Sequence, residues 1–313
     1  MRYVAGAPTP VHRTASSSGR RYRLQAMTSR RRGASIARSR RPARTGGGQK
    51  MTNHVLRLLA LCIAFSWTVA QAADPIDAAV ASGNAVAAAI ASPDRPKADL
   101  ERDAVAKPAE VLAFLGVAPG MRVADMFSAS GYYTELLART VGVKGQVIAY
   151  NNPPYAKFAE KGIAQRYADE RLGNVRQITA EVGDLQLAPS SIDAALFVMS
   201  YHDAYWRPED GSWNETDPAE MLKRLHAALK PGGVVVVQDH VAEAGGDTAK
   251  VVDELHRIDP AVVRAEFERA GFVFDGESKV LAHPADDHTK LVFDESIRGK
   301  TDQFIYRFRK PIP

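Results

Sequence analysis

Residues 109–313 read as a single doubly wound, mostly parallel α/β domain of seven strands, on three features of the sequence. Strand-like and helix-like segments alternate, which calls for crossover connections between parallel strands. The stretch 194–200 is apolar nearly throughout, as a strand buried on both faces must be. The turn Ala124-Asp125-Met126-Phe127-Ser128-Ala129-Ser130-Gly131 leaves a strand through small residues and enters a helix, so backbone can approach a ligand there.

The elements follow in order. Pro108 opens an amphipathic helix that Gly116 closes. Strand one spans 122–127, and a helix over 132–141 carries Leu136, Leu137 and Val141 on one face. Strand two (146–150), a helix (158–171) and a short third strand (175–179) precede the apolar fourth. The next helix, 218–229, has Met221, Leu222, Leu225 and Leu229 at helical spacing and stops at Lys230-Pro231-Gly232-Gly233. Strand five is 234–238, a helix begins at Pro260, and 272–281 and 302–308 form a final hairpin-like pair with a long loop between, the last strand antiparallel.

Ahead of this domain the composition changes. Residues 1–50 hold thirteen Lys and Arg and no Asp or Glu, which leaves 28 basic against 36 acidic residues in the remainder. The formal charge of +5 therefore belongs to the leader, which lacks apolar periodicity and reads as a disordered extension upstream of the true start. Met51 opens a short basic start, followed by an apolar run over 58–70 and the small-x-small site Ala70-Gln71-Ala72, the three parts of a secretory signal peptide at 51–72. An Arg- and Ser-rich organellar transit peptide is the alternative reading. The apolar run is shorter than the roughly 20 residues a membrane span requires, so we expect cleavage near Ala72 and an exported, periplasmic protein with no stable membrane insertion. The single cysteine, Cys62, falls inside the signal, which suits an oxidising compartment. Residues 73–108 read as an Ala-rich linker and a charged helical extension.

In an open sheet of this kind, ligands bind beyond the carboxyl ends of the central strands. That edge brings together Asp125 and its turn, Asn151-Asn152 after strand two, Ser200-Tyr201-His202-Asp203 after strand four and Asp239-His240 after strand five. Gly183-Asp184-Leu185 lies between strands three and four. His283-Pro284-Ala285-Asp286-Asp287-His288 matches no standard zinc spacing, so we expect no metal and a solvated loop there.

On these residues the chain resembles the class I S-adenosylmethionine-dependent methyltransferases, over roughly 102–311. The resemblance is carried by Pro119-Gly120-Met121-Arg122-Val123-Ala124-Asp125, Gly183-Asp184-Leu185 and Leu229-Lys230-Pro231-Gly232-Gly233. Tyr201-His202-Asp203, His256-Arg257-Ile258-Asp259 and Gly299-Lys300-Thr301-Asp302 suggest a poorly characterised, exported branch. The resemblance implies a Rossmann-like fold and S-adenosylmethionine as cofactor. The methionine part would lie against Asp125, Phe127, Ser128, Ala129 and Gly131, with Ser200 nearby. The ribose would lie against Asn151, and the adenine against Asp184 and Leu185. Two departures stand out: the family has glycine where Phe127 and Ala129 stand, and an acidic residue in place of Asn151 or Asn152. Without that context, Asp125 and Asp184 read as turn-capping residues.

An imidazole titrates near neutrality, so His202 is the first candidate for a base toward the methyl acceptor. Asp203 would orient it, with Tyr201 and His240 as second choices. Trp206 and Trp213 either cover the substrate or pack their loop down. The expected function is methyl transfer to an unidentified small-molecule acceptor. The alternative is a non-catalytic nucleoside- or metabolite-binding protein that retains the fold. A nicotinamide enzyme is disfavoured by the absence of Gly-x-Gly-x-x-Gly, and nucleic-acid binding by the net acidic remainder.

Overall fold

The computed structural model describes residues 75–313; the basic leader and the signal-peptide reading lie outside the described residues. Seven strands, β1 (Arg122–Met126), β2 (Gln146–Asn151), β3 (Val175–Thr179), β4 (Ile192–Val198), β5 (Leu229–His240), β6 (Val273–Ser278) and β7 (Gln303–Arg309), form one sheet in the order β3-β2-β1-β4-β5-β7-β6. The pairs from β3 to β5 are parallel, while β7 runs antiparallel to both β5 and β6. The chain reverses its direction of travel across the sheet between β1 and β4. Met126 is level with Tyr150 and Phe197, so the residues after β1, β2 and β4 emerge side by side.

Apolar clusters cover both faces of the sheet. On one face, Met221, Leu222 and Leu225 of α7 (Pro218–Ala228) and Val263 and Phe267 of α9 (Pro260–Arg269) pack against Ala195, Phe197, Val235 and Val237. On the other, Val111, Leu112 and Leu115 of α3 (Pro108–Leu115) and Leu136 and Leu137 of α4 (Tyr132–Val141) pack against Val123, Val147, Leu196 and Val236. Strict alternation of sides along fully buried strands produces the near-continuous apolar sequence of β4.

Three local readings are corrected. The helix expected over 158–171 is two: Asn152 accepts a hydrogen bond from the Tyr155 amide at 2.9 Å and starts α5 (Pro153–Phe158) early, and α6 (Glu160–Arg166) follows. The Lys-Pro-Gly-Gly segment lies inside β5, where the pairing with β4 shifts between Ile192 and Ala194. Asp247 caps a helix absent from the sequence reading, α8 (Thr248–Leu255), by accepting from the Lys250 amide.

The helical extension read into 73–108 comprises α1 (Pro75–Ile90) and α2 (Lys97–Ala106), and both pack against the domain. Val86 and Ala89 of α1 are buried, with Val86 in the cluster that contains α4. α2 is fastened by charge: Arg166 bridges Asp99 of α2 and Glu135 of α4, and Arg95 pairs with Asp103, which also accepts from the Tyr132 hydroxyl at 2.6 Å. Burial opposes ionisation of Glu135, but hydrogen bonds from Arg171, Arg166 and Arg139 outweigh it and hold its pKa near 2.

Breaking such a buried network from one side costs about 3–5 kcal/mol, because a charge is left without its partner. Urea unfolding of Arg166→Ala should show a loss of this size at pH 7. Because the folded Glu135 pKa is depressed from 4.5 to about 2, the network's contribution is complete above about 4.5 and fades as the pH falls toward 2. The deficit of the variant should shrink over the same range.

Candidate functional site

The turn after β1 keeps a glycine-type backbone without the glycines. Phe127 (φ 52°) and Ala129 (φ 48°) are both left-handed, as is Met199 (φ 49°) at the end of β4. This conformation costs an L-residue about 1–2 kcal/mol and persists only where the surroundings impose it. Asn151 supplies much of that constraint. Its Oδ1 accepts from the Ala129 amide at 2.9 Å, and its Nδ2 donates to the Ala129 carbonyl at 3.2 Å. The Ser128 amide donates to the Tyr150 carbonyl. The Phe127 ring leaves the turn for the core, stacked on Tyr155 at 5.7 Å and beside Tyr150 and Phe197. Gly131, at φ 85°, begins α4, and a Cβ there would lie 2.8 Å from the Tyr167 hydroxyl.

Asp125 is buried and accepts from the Thr134 hydroxyl at 2.5 Å. Burial raises its pKa to about 7, although the Thr134 hydrogen bond and the Arg102 charge both act to lower it. Asp125, Phe127, Ser128, Ala129 and Met199 line a cavity of about 150 Å³. Met199 and Tyr155 are shared with a second cavity of about 530 Å³, and Met199 and Arg102 with a third of about 510 Å³. The three spaces thus adjoin one another at Met199.

The second cavity has an aromatic wall. Trp206 and Trp213 meet edge to face at 4.9 Å, Tyr155 packs on Trp213 at 5.2 Å, and Phe293 and His256 complete the wall. His202, Asp203 and His240 supply its polar lining. His202 Nδ1 lies 2.7 Å from Asp239 Oδ1, and its Nε2 lies 3.4 Å from Asp203. Burial favours the neutral ring, yet the two carboxylates outweigh it and raise the pKa to about 9. Burial and the charge of Asp239 raise Asp203 to about 6, whereas burial lowers His240 and His256 to about 4. At neutral pH the group is therefore an imidazolium between two carboxylates, flanked by two neutral imidazoles.

The structure separates the candidate residues. Asp125, Phe127, Ser128, Ala129, His202 and Asp203 meet at the cleft. Tyr201 does not: it is fully buried, packed on Phe197 and Phe267, and its hydroxyl donates to Glu266 at 2.7 Å. Ser200 is fully buried, and its hydroxyl faces the Met126 carbonyl at 3.4 Å. Asn151 cannot be a free ribose acceptor while both ends of its amide hold Ala129. Asp184 is exposed and Leu185 is packed in the core with the α7 side chains, and neither lines the three cavities. The near-neutral titration expected of His202 is corrected to about 9, because Asp239 and Asp203 flank it.

Asp239 carries no motif that reveals its role: it accepts from the His202 amide, the His240 amide and the His202 ring. Arg257 is fully buried and pairs with Asp286, so the His283–His288 segment is anchored through Asp286 and is not simply a solvated loop. Thr301 meets His240 Nδ1 at 2.9 Å, and Val292 and Phe293 of the same long connection line the cleft. Among the described residues, no three His, Cys, Asp or Glu side chains converge to hold a metal ion.

Residues 125–237 match the family model described as a methyltransferase domain. With the sheet order and the turn after β1, the match makes this segment similar to methyltransferase domains of class I architecture, the class whose cofactor is S-adenosylmethionine. Among individual proteins, the chain is similar to the ubiquinone/menaquinone biosynthesis C-methyltransferase UbiE of Idiomarina loihiensis, at 26% identity over 44% of this chain and 50% of that protein. It is also similar to an arsenite methyltransferase of Halobacterium salinarum, at 27% identity over 58% of this chain and 44% of that protein. A solved S-adenosylmethionine-dependent methyltransferase from Aquifex aeolicus shares 20% identity over 70% of this chain and 96% of its own, with a TM-score of 0.48. The chain spans about half the length of the first two relatives.

Two outcomes check the site geometry. Asn151→Asp retains the acceptor but loses the donor to the Ala129 carbonyl, and should lower unfolding free energy by about 1–3 kcal/mol in urea. His202 has a folded pKa raised from 6.5 to about 9, so its charge contributes fully below about 6.5 and that contribution is lost as the pH rises through 9. Asp239→Asn should move the His202 transition, followed by its ring-proton NMR signals, to lower pH.

Proposed function

We propose that this protein is an S-adenosylmethionine-dependent methyltransferase acting on a small, largely apolar acceptor. The observation that carries the reading is the adjacency of two unlike spaces at Met199: a small polar cavity at the β1 turn, and a larger aromatic cavity with a charged lining. The residues present fit the amino-acid end of the cofactor. The Asp125 carboxyl faces that cavity, and the buried Ser128 hydroxyl has no hydrogen-bond partner of its own. Asn151 does not supply a free diol acceptor, and this favours, as the second reading, a nucleoside- or metabolite-binding protein without catalysis.

When bound, S-adenosylmethionine supplies an electrophilic sulfonium methyl group for in-line displacement. The chain's own part is to orient the acceptor and exclude water, through Tyr155, Trp206, Trp213 and Phe293. For an acceptor that must lose a proton, Asp203 is the fitting base, since its pKa of about 6 keeps it ionised and receptive at neutral pH. His202, held as a cation by Asp239, positions Asp203 and offsets its charge. The roles expected of the pair are thereby exchanged. We also propose export to the periplasm, on the Met51 signal pattern; sequencing the mature amino terminus checks it, and a start before Met51 would refute it.

Titration calorimetry with S-adenosylmethionine and S-adenosylhomocysteine tests the central reading. Saturable binding of both is expected, weakened about tenfold or more in Asp125→Ala. If neither binds the wild type, the enzyme reading fails and the non-catalytic one stands. With an acceptor found by screening, the rate should rise with pH through a midpoint near 6 and lose that step in Asp203→Asn. A controlling midpoint near 9 would return the base to His202.

A further inference from the structure

We infer that Arg102, on α2, binds the α-carboxylate of the cofactor's methionine part; this rests on the cofactor reading above and adds a residue outside the matched segment 125–237. The Arg102 guanidinium lies 4.2 Å from the Tyr132 ring centroid and lines the same cavity as Asp125, Ser128 and Ala129. Its charge reaches that cavity's acid, since it acts on both Asp125 and Tyr133 to favour their ionised forms.

The other arginines around α2 and α4 are committed. Arg95 pairs with Asp103, Arg139 and Arg171 with Glu135, and Arg166 with Asp99 and Glu135. Among the described residues, Arg102 forms no ion pair or side-chain hydrogen bond, although it is half-buried where the cavities of about 150 and 510 Å³ adjoin. A planar guanidinium with its fork unused recognises a carboxylate through two parallel hydrogen bonds. The helix that carries it is held by Asp99 and Asp103 on either side of the residue, so the cation is presented by a fixed element. Arg102 in this cavity thus offers a cation to the carboxylate of a zwitterionic amino acid, and Asp125, in the ionised form that Arg102 favours, offers an anion to its ammonium.

Calorimetry on the full chain with two probes tests this: S-adenosylhomocysteine, and the analogue that lacks only its carboxylate. The wild type should prefer the carboxylate-bearing ligand by about 10–100-fold. Arg102→Ala should abolish that preference while binding the decarboxylated analogue within about twofold of wild type, which also reports that the pocket remains folded. Arg102→Lys should retain part of the preference, as a point charge without the fork. Preference retained in Arg102→Ala, equal losses for both probes, or a wild type indifferent to the carboxylate would each overturn the assignment. A wild type that binds neither probe would instead overturn the cofactor reading itself.

Discussion

The cleft depends on one buried carboxylate. Asp239, at the end of β5, accepts the amides of His202 and His240 and faces the His202 ring at 2.7 Å. Hydrogen bonds to a charged group contribute about 1.5–3 kcal/mol each, enough to fix how the chain turns after β4. The same carboxylate places His202 against Asp203 and keeps the ring ionised at neutral pH. Structure and electrostatics are therefore set by one side chain. The pKa of Asp203 near 6 is a consequence: burial and Asp239 push it up, and the imidazolium limits the rise.

Backbone strain collects at the same edge of the sheet. Phe127, Ala129 and Met199 adopt left-handed conformations that glycine would accept freely, and His256 does so where it ends α8 beside the cleft. At the β1 turn, the amide of Asn151 holds the backbone of Ala129 from both sides. The turn thus follows a glycine-type path without glycine at Phe127 or Ala129, and the Asn151 amide is spent on keeping it. The Phe127 ring lies among Tyr150, Tyr155 and Phe197, so the bulk added to the turn is absorbed mainly by the core.

Two segments remote from the turn in sequence complete the cleft. α2 brings Arg102 to it under the hold of Arg166 and Arg95. The long connection between β6 and β7 brings Phe293 and Thr301, and it is anchored by Arg257, which pairs with Asp286 and donates to the Val241 and Lys290 carbonyls. The His256-Arg257-Ile258-Asp259 motif thereby acquires a physical meaning residue by residue. His256 lines the cavity, Arg257 holds the strap, Ile258 bridges to Val241 beyond β5, and Asp259 caps α9.

The seven strands, their sequence order and the helices on α3, α4, α7 and α9 were legible in the chain, because apolar periodicity and glycine or proline punctuation act over a few residues. The position of the cleft was legible too, since the carboxyl ends of parallel strands share one edge of the sheet and the connections diverge there. Local pattern carried less about which side chains face into it. Tyr201 and His202 are adjacent, yet the first is anchored in the core by Glu266 and the second turns to Asp239. Asn151 looks free until the turn folds onto it, and Arg102 reads as one charge among several until its neighbours take their partners. Local sequence determined where elements begin and which faces are buried; only the tertiary structure decided which polar groups are spent on one another, because those partners lie tens of residues apart.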